Sequence, residues 1–226
     1  MRYPYLLFDA DNTLFDFDRS NRAAFDAVCA AFDLPDDEEV FALYERCNNA
    51  MWTAFDRGEC TKDFLVVQRF RNFFAALGVD RDPAACNELH LHTLGRQSFL
   101  LPHAEEVCRE LSRSHKLYLV TNAVASVQRG RLAKSPIVPD ITAAFISEEA
   151  GAAKPSAAYF DYVFARIDGI TRENCLVIGD SISSDIRGAN NYGLPCCWYN
   201  PRHTPRPDGL RIDYEIDDLR ALCDIV

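Results

Sequence analysis

Residues 8 to 17 read FDADNTLFDF, which puts Asp9, Asp11 and Asp16 in one short segment directly after the apolar run Tyr5-Leu6-Leu7-Phe8. Acidic side chains beside a buried strand need partners, because an unpaired carboxylate near a core is costly. Other apolar runs end in the same way. KLYLV is followed by Thr121 and Asn122, AFISEEAGAA by Lys154 and Pro155, and CLVIG by Asp180, Ser181, Ser184 and Asp185. In an open α/β sheet, ligands collect beyond the carboxyl ends of the strands. The four segments therefore deliver two acidic clusters, one lysine and several hydroxyl or amide groups to a single edge.

Carboxylates gathered there repel one another and raise their own pKa values unless a cation joins them. A hard divalent ion with oxygen ligands meets that need, and Mg²⁺ suits a site with few protein ligands that retains waters and a substrate phosphate. Lys154, with the hydroxyl and amide donors, supplies what a phosphoryl group requires on its other oxygens. One carboxylate can then act as nucleophile, and a second as general acid for the leaving group and base for water. The inventory fits phosphoryl transfer.

The elements that must carry these residues follow from hydrophobic periodicity. YLLFDA, KLYLVTN, AAFISEE, NCLVIGD and PCCWYN are continuous apolar runs of strand length, the pattern of strands buried on both faces of a parallel sheet. With amphipathic segments between them, the economical fold is α/β, a doubly wound (Rossmann-like) parallel sheet. From residue 16 to 97 no strand-like run occurs. Phe25, Val28, Cys29 and Phe32 fall at helical spacing, as do Val40, Leu43, Cys47 and Met51. Thr61 and Asp82 read as N-caps, Pro83 as a first helical position and Gly78 as a helix end. The expected organisation is a core domain of residues 1–15 and 98–226, interrupted after its first strand by an all-helical cap domain of residues 16–97. Phe64, Phe70, Phe73, Phe74, Trp52 and Phe55 are expected to form the core of that insertion.

Together FDADNTLFD, VTNA, the Lys154-Pro155 pair and IGDSISSD resemble the four motifs of the haloacid dehalogenase (HAD) superfamily, in order and spacing, and the insertion matches its type with a helical cap between the first two motifs. Longer stretches, DADNTLFDFDRS, VTNAVASVQRGRL, FISEEAGAAKP, IGDSISSDIRGA and CCWYNP, are similar to the YjjG-type pyrimidine 5′-nucleotidases. That similarity spans nearly the whole core and is thin in the cap. The resemblance implies an HAD-type phosphatase, a phosphoric monoester hydrolase that uses Mg²⁺ and an aspartyl-phosphate. Asp9 would be the nucleophile and a metal ligand. Asp11 would be the acid/base group, with its main-chain carbonyl on the metal, and Asp180 a further ligand. Thr121, Asn122 and Lys154 would bind the phosphate, Lys154 also neutralising the nucleophile. Thr13, Ser184 and Asp185 would support these groups, Asp185 through water or by holding Lys154. The substrate implied is a nucleoside 5′-monophosphate, above all a pyrimidine one. The alternative is another small ester such as phosphoglycolate or a sugar phosphate, handled by a phosphatase or phosphomutase. Four intact motifs argue against a catalytically silent phosphate-binding module.

Composition sets further bounds. A net charge of −10 with no Lys/Arg run argues against a polynucleotide partner, and no segment has the uninterrupted apolar length of a membrane helix. A cytoplasmic protein, monomeric or a small homo-oligomer, is expected. Nine cysteines are scattered without a CxxC pair, so they read as small hydrophobes in a reducing compartment. Asp16 and Asp18 lie where the chain leaves for the insertion and read as hinge or helix-start residues, and no histidine is assigned to catalysis. Asn12, after the second aspartate, suits left-handed backbone.

Overall fold

A computed structural model describes residues 2–226. It divides into two compact units, Met1–Phe17 with Ser98–Val226, and Asp18–Gln97. Strand β1 (Tyr5–Phe8) is followed by helices α1 (Phe17–Phe32), α2 (Glu38–Asp56), α3 (Lys62–Leu77) and α4 (Pro83–Leu94). The chain then runs α5 (Ala104–Leu111), β2 (Lys116–Thr121), α6 (Ala125–Leu132), β3 (Ile141–Ile146), α7 (Ser147–Ala150), α8 (Ala157–Phe164), β4 (Cys175–Gly179), α9 (Arg187–Tyr192), β5 (Cys196–Tyr199), β6 (Tyr214–Ile216) and α10 (Leu222–Ile225).

The six strands form one parallel sheet in the order β3-β2-β1-β4-β5-β6. Successive residues of each strand point to opposite faces, so the apolar runs supply both layers at once. Leu6, Phe8, Leu117, Leu119, Leu176 and Ile178 pack with Val107, Cys108 and Leu111 of α5. Leu7, Tyr118, Val120, Val177, Cys196 and Trp198 pack on the other face with Tyr159, Phe160 and Val163 of α8. β1 lies between β2 and β4, with Phe8 level with Leu119 on one side and Ile178 on the other. The crossovers diverge at this point, and the crevice beyond the end of β1 is where a doubly wound sheet receives its ligand. The five strands expected from sequence are all present. β6 was not anticipated, because a three-residue edge strand with one buried side chain leaves no apolar run to detect.

The segments that lead to and from the helical unit pair with each other. Asp16 N donates to Phe99 O (3.0 Å) and Leu101 N to Leu14 O (2.9 Å).

Within the helical unit the caps lie where expected. Thr61 accepts from Phe64 N, Asp82 accepts from Ala84 N and Ala85 N with Pro83 in the first turn, and Gly78 ends α3 at φ 74°. Phe25, Phe70, Phe73 and Phe74 are buried together, whereas Phe64 is 52% exposed and Trp52 and Phe55 are only half-buried, all three outside the core expected to hold them. α2 also differs from the expected stripe. Its buried residues are Tyr44 and Asn48, while Val40, Leu43, Cys47 and Met51 are only partly covered. For Asn48 the reason is polar. Arg69 is buried without a carboxylate and donates to Asn48 Oδ1 (2.9 Å), Asn87 Oδ1 (3.1 Å) and His90 Nδ1 (3.2 Å). His90, held neutral by burial and Arg69, meets the Tyr44 hydroxyl (3.0 Å). A buried guanidinium has to be satisfied and Asn48 of α2 supplies one acceptor, while Tyr44 packs against Phe25, Phe70 and Phe73.

All nine cysteines are free, and six of them are buried. No helix among the described residues is long and apolar enough to cross a membrane.

Leu176 is fully buried at the centre of the sheet. Leu176→Ala is expected to cost about 2–5 kcal/mol, read as a lower urea midpoint at unchanged slope. An unchanged midpoint would contradict the packing described here.

Candidate active site

The turn after β1 is built by its own main chain. Asp9 N donates to Ile178 O (2.8 Å), extending the ladder with β4 by one residue. Leu14 N and Phe15 N both donate to Ala10 O (3.0 and 2.8 Å), and Asn12 N donates to Phe15 O (2.8 Å). Closing the turn puts Asn12 at φ 57°, a left-handed conformation that asparagine tolerates better than most residues. Its side chain accepts from Phe17 N (3.1 Å), which ties the turn to the start of α1.

Lys154 approaches Asp9 from the far side of the sheet end. Asn122, just beyond β2, donates from Nδ2 to Lys154 O (2.8 Å) and accepts at Oδ1 from Lys154 N (3.0 Å). The peptide bond that follows, Lys154–Pro155, is cis. So anchored, the Lys154 ammonium donates to Asp9 Oδ1, Asp185 Oδ1 and Val120 O, each at 2.6 Å. Those bonds use all three of its donors, and the side chain is only 1% exposed.

Asp180 and Asp185 come from the end of β4 and the π-helical turn Ile182–Ile186. Asp180 is linked to the β1 turn by Thr13, whose hydroxyl donates to Asp180 Oδ1 (3.2 Å) and accepts from Asp180 N (3.1 Å). Trp198 Nε1 donates to Asp180 O (2.9 Å). Ser181 N donates to Asp185 Oδ2 (3.1 Å), and the Ser181 hydroxyl caps the turn by accepting from Ser184 N (3.3 Å). Gly179 is required at the strand end, because a Cβ there would overlap the Asp185 carboxylate.

Asp9, Asp180 and Asp185 each bring a carboxylate oxygen within 4.8 Å of the others. Burial first, then Asp185, lifts the Asp180 carboxyl to about 7. Burial also raises Asp9, against the pull of Lys154 and with help from Asp185. For Lys154, burial lowers the pKa, but Asp185 and Asp9 outweigh it and the amine stays an ammonium. One ammonium faces three carboxylates. An oxygen-only donor set with surplus negative charge fits a hard divalent cation.

Of the residues singled out by sequence, Asp9, Lys154, Asp180, Asp185 and Thr13 come together, Asn122 is fixed to the Lys154 main chain, and Thr121 is buried at the end of β2 accepting from Ala123 N (3.2 Å). The Asp11 carboxylate is not among the clustered oxygens and instead pairs with Arg131 of α6. Arg131 was missed. It falls four residues after Val127 and beside Leu132, on the buried face of α6, and that spacing was the available signal. The structural parts of Val120 O and Trp198 had no sequence signal.

A lysine, three carboxylates and a threonine are thus gathered at the switch point of a doubly wound α/β sheet, where such folds bind their ligands. The family model for haloacid dehalogenase-like hydrolases matches residues 3–193, and the chain belongs to that family. It is 34% identical to the putative HAD-hydrolase YfnB of Bacillus subtilis over 225 residues, covering 100% of this chain and 96% of that protein. A crystal structure of YfnB, described as bound to magnesium and revealing interdomain movement, superposes with a TM-score of 0.95 and covers 100% of this chain and 99% of its own. Pyrimidine 5′-nucleotidase PynA of Streptococcus pneumoniae is 33% identical (99% and 95% covered), and pyrimidine 5′-nucleotidase YjjG of Escherichia coli is 29% identical (98% and 97% covered).

The raised Asp180 pKa has a consequence for stability. With the folded value at about 7 and the unfolded value at about 3.9, the folded protein binds the proton more tightly. That contribution is complete below pH 4 and is lost as the pH rises through 7. The melting temperature of the metal-free protein is expected to fall across this window, and Asp180→Asn to flatten the fall. The same slope in both proteins would contradict the assignment.

Proposed function

We propose that the protein is a Mg²⁺-dependent phosphomonoesterase that hydrolyses nucleoside 5′-monophosphates, pyrimidine nucleotides foremost, through an aspartyl-phosphate on Asp9. The observation that carries this reading is the buried Lys154 ammonium clamped between Asp9 and Asp185, beside Asp180. The two relatives named as pyrimidine 5′-nucleotidases support the substrate class, and the magnesium in the YfnB structure supports the ion.

Asp9, Asp180 and the main-chain carbonyl of Asp11 are assigned as protein ligands, with Asp185 beside them. When bound, Mg²⁺ offsets charge on the nucleophile and the phosphoryl oxygens. Lys154 holds Asp9 in place and neutralises part of the same charge. Asp9 attacks phosphorus while Asp11 protonates the departing 5′-oxygen, so the nucleoside leaves as an alcohol. Water then attacks the phosphorus, Asp11 takes its proton and the Asp9–phosphate bond breaks, releasing inorganic phosphate. Thr121 and Asn122 are assigned to the edge that receives the phosphoryl oxygens, Asn122 also holding Lys154.

Phosphate release from UMP, dUMP and dTMP is expected with Mg²⁺ and not after chelation, and Asp9→Asn is expected to reduce it to background in a folded protein. Release from sugar phosphates but none from these nucleotides would overturn the substrate class. Full activity of Asp9→Asn would remove the nucleophile.

A further inference from the structure

Arg131 is fully buried, and its Nη1 donates to Asp11 Oδ1. The guanidinium carbon lies 4.6 Å from the centroid of the Phe15 ring and 6.0 Å from that of Phe17, with Gln128 Oε1 3.4 Å from Nη1. Phe15 belongs to the same turn as Asp11, closed by Asn12 N to Phe15 O (2.8 Å) and Phe15 N to Ala10 O (2.8 Å). One loop therefore supplies both the ring against which the guanidinium packs and the carboxylate it grips. The Asp11 side chain is 26% exposed although Arg131 is fully covered, so the pair has a dry end and an open end.

We infer that Arg131 is the positioning residue for Asp11, holding Oδ1 so that Oδ2 is presented to the proton in transit. This rests on the acid/base role proposed for Asp11 above. An aspartate side chain has two rotatable bonds, and proton transfer needs the acceptor within hydrogen-bond reach of the reacting oxygen. A charge-assisted bond to one carboxylate oxygen, made by a guanidinium packed on an aromatic ring, removes that freedom before substrate arrives. In the first half-reaction the Oδ2 proton goes to the leaving oxygen as the P–O bond to the nucleoside breaks. In the second, Oδ2 takes a proton from water as the new P–O bond forms and the bond to Asp9 breaks.

An ion pair that served only the fold would be blind to the leaving group, and this separates the two roles. Nitrophenolate departs without a proton, and kcat/KM reports steps only up to phosphoryl transfer to Asp9. With Mg²⁺ present, Arg131→Met is expected to lose about 10²-fold or more in kcat/KM for UMP and less than about threefold for 4-nitrophenyl phosphate. On the aryl ester, kcat and KM should fall together, with phosphorylated enzyme accumulating because water attack has become slow. Arg131→Lys keeps the cation without the planar fork. It should lie between wild type and Arg131→Met, and carries the same comparison should Arg131→Met not fold. Equal losses on both esters, or no loss on either, overturn the inference. Asp11→Asn is assayed alongside. No difference between esters in that variant means that the role of Asp11 itself fails. A difference there with none in the Arg131 variants overturns Arg131 alone.

Discussion

The Lys154 ammonium, buried between the carboxylates of Asp9 and Asp185, is the interaction on which the rest of the site depends. Removing one partner from a buried ion pair costs about 3–5 kcal/mol, because the remaining charge has no water to turn to. Three distant segments must therefore meet in one geometry: the turn after β1, the segment after β3 and the turn after β4. Each has a device for doing so. Asn122 fixes the Lys154 main chain from both sides, Gly179 leaves room for Asp185, and Thr13 joins the β1 turn to Asp180. Buried ion pairs are seldom the most stable way to fill a core.

Charge balance explains the remainder. One ammonium cannot neutralise three carboxylates, and burial together with the neighbouring Asp185 lifts the Asp180 carboxyl to about 7. A divalent cation held there would relieve that excess, as the proposed function requires. The family to which the chain belongs and the magnesium found in the YfnB structure are consistent with that arithmetic.

The site was legible in the sequence wherever a continuous apolar run ended in residues too polar for a core. Asp9, Thr121, Asp180 and the segment bearing Lys154 all announce themselves this way, and the parallel sheet follows from the same runs. The strand β6 did not, since Tyr214-Glu215-Ile216 buries a single side chain at the sheet edge. On α2, apolar periodicity picked Val40, Leu43, Cys47 and Met51, whereas the buried residues are Tyr44, packed among phenylalanines, and Asn48, an acceptor for the buried Arg69. Arg131 was hidden for the same reason. Arginines are read as surface residues by default, and only the position of this one beside Val127, Gln128 and Leu132 marks it as buried. On α3 and on α6 the burial of an arginine is what hydrophobic patterning could not show.

The most direct test of the account is to identify the group that carries phosphorus during turnover. Protein mixed with Mg²⁺ and UMP, quenched in acid and digested, is predicted to yield the peptide spanning Asp9 heavier by one phosphoryl group, with Asp9 as the modified residue. With 4-nitrophenyl phosphate, whose leaving group needs no proton, the signal should be larger in Asp11→Asn, where water attack is slowed. A phosphoryl group on any other residue, or turnover by the wild-type protein with none on Asp9 even in Asp11→Asn, would contradict it.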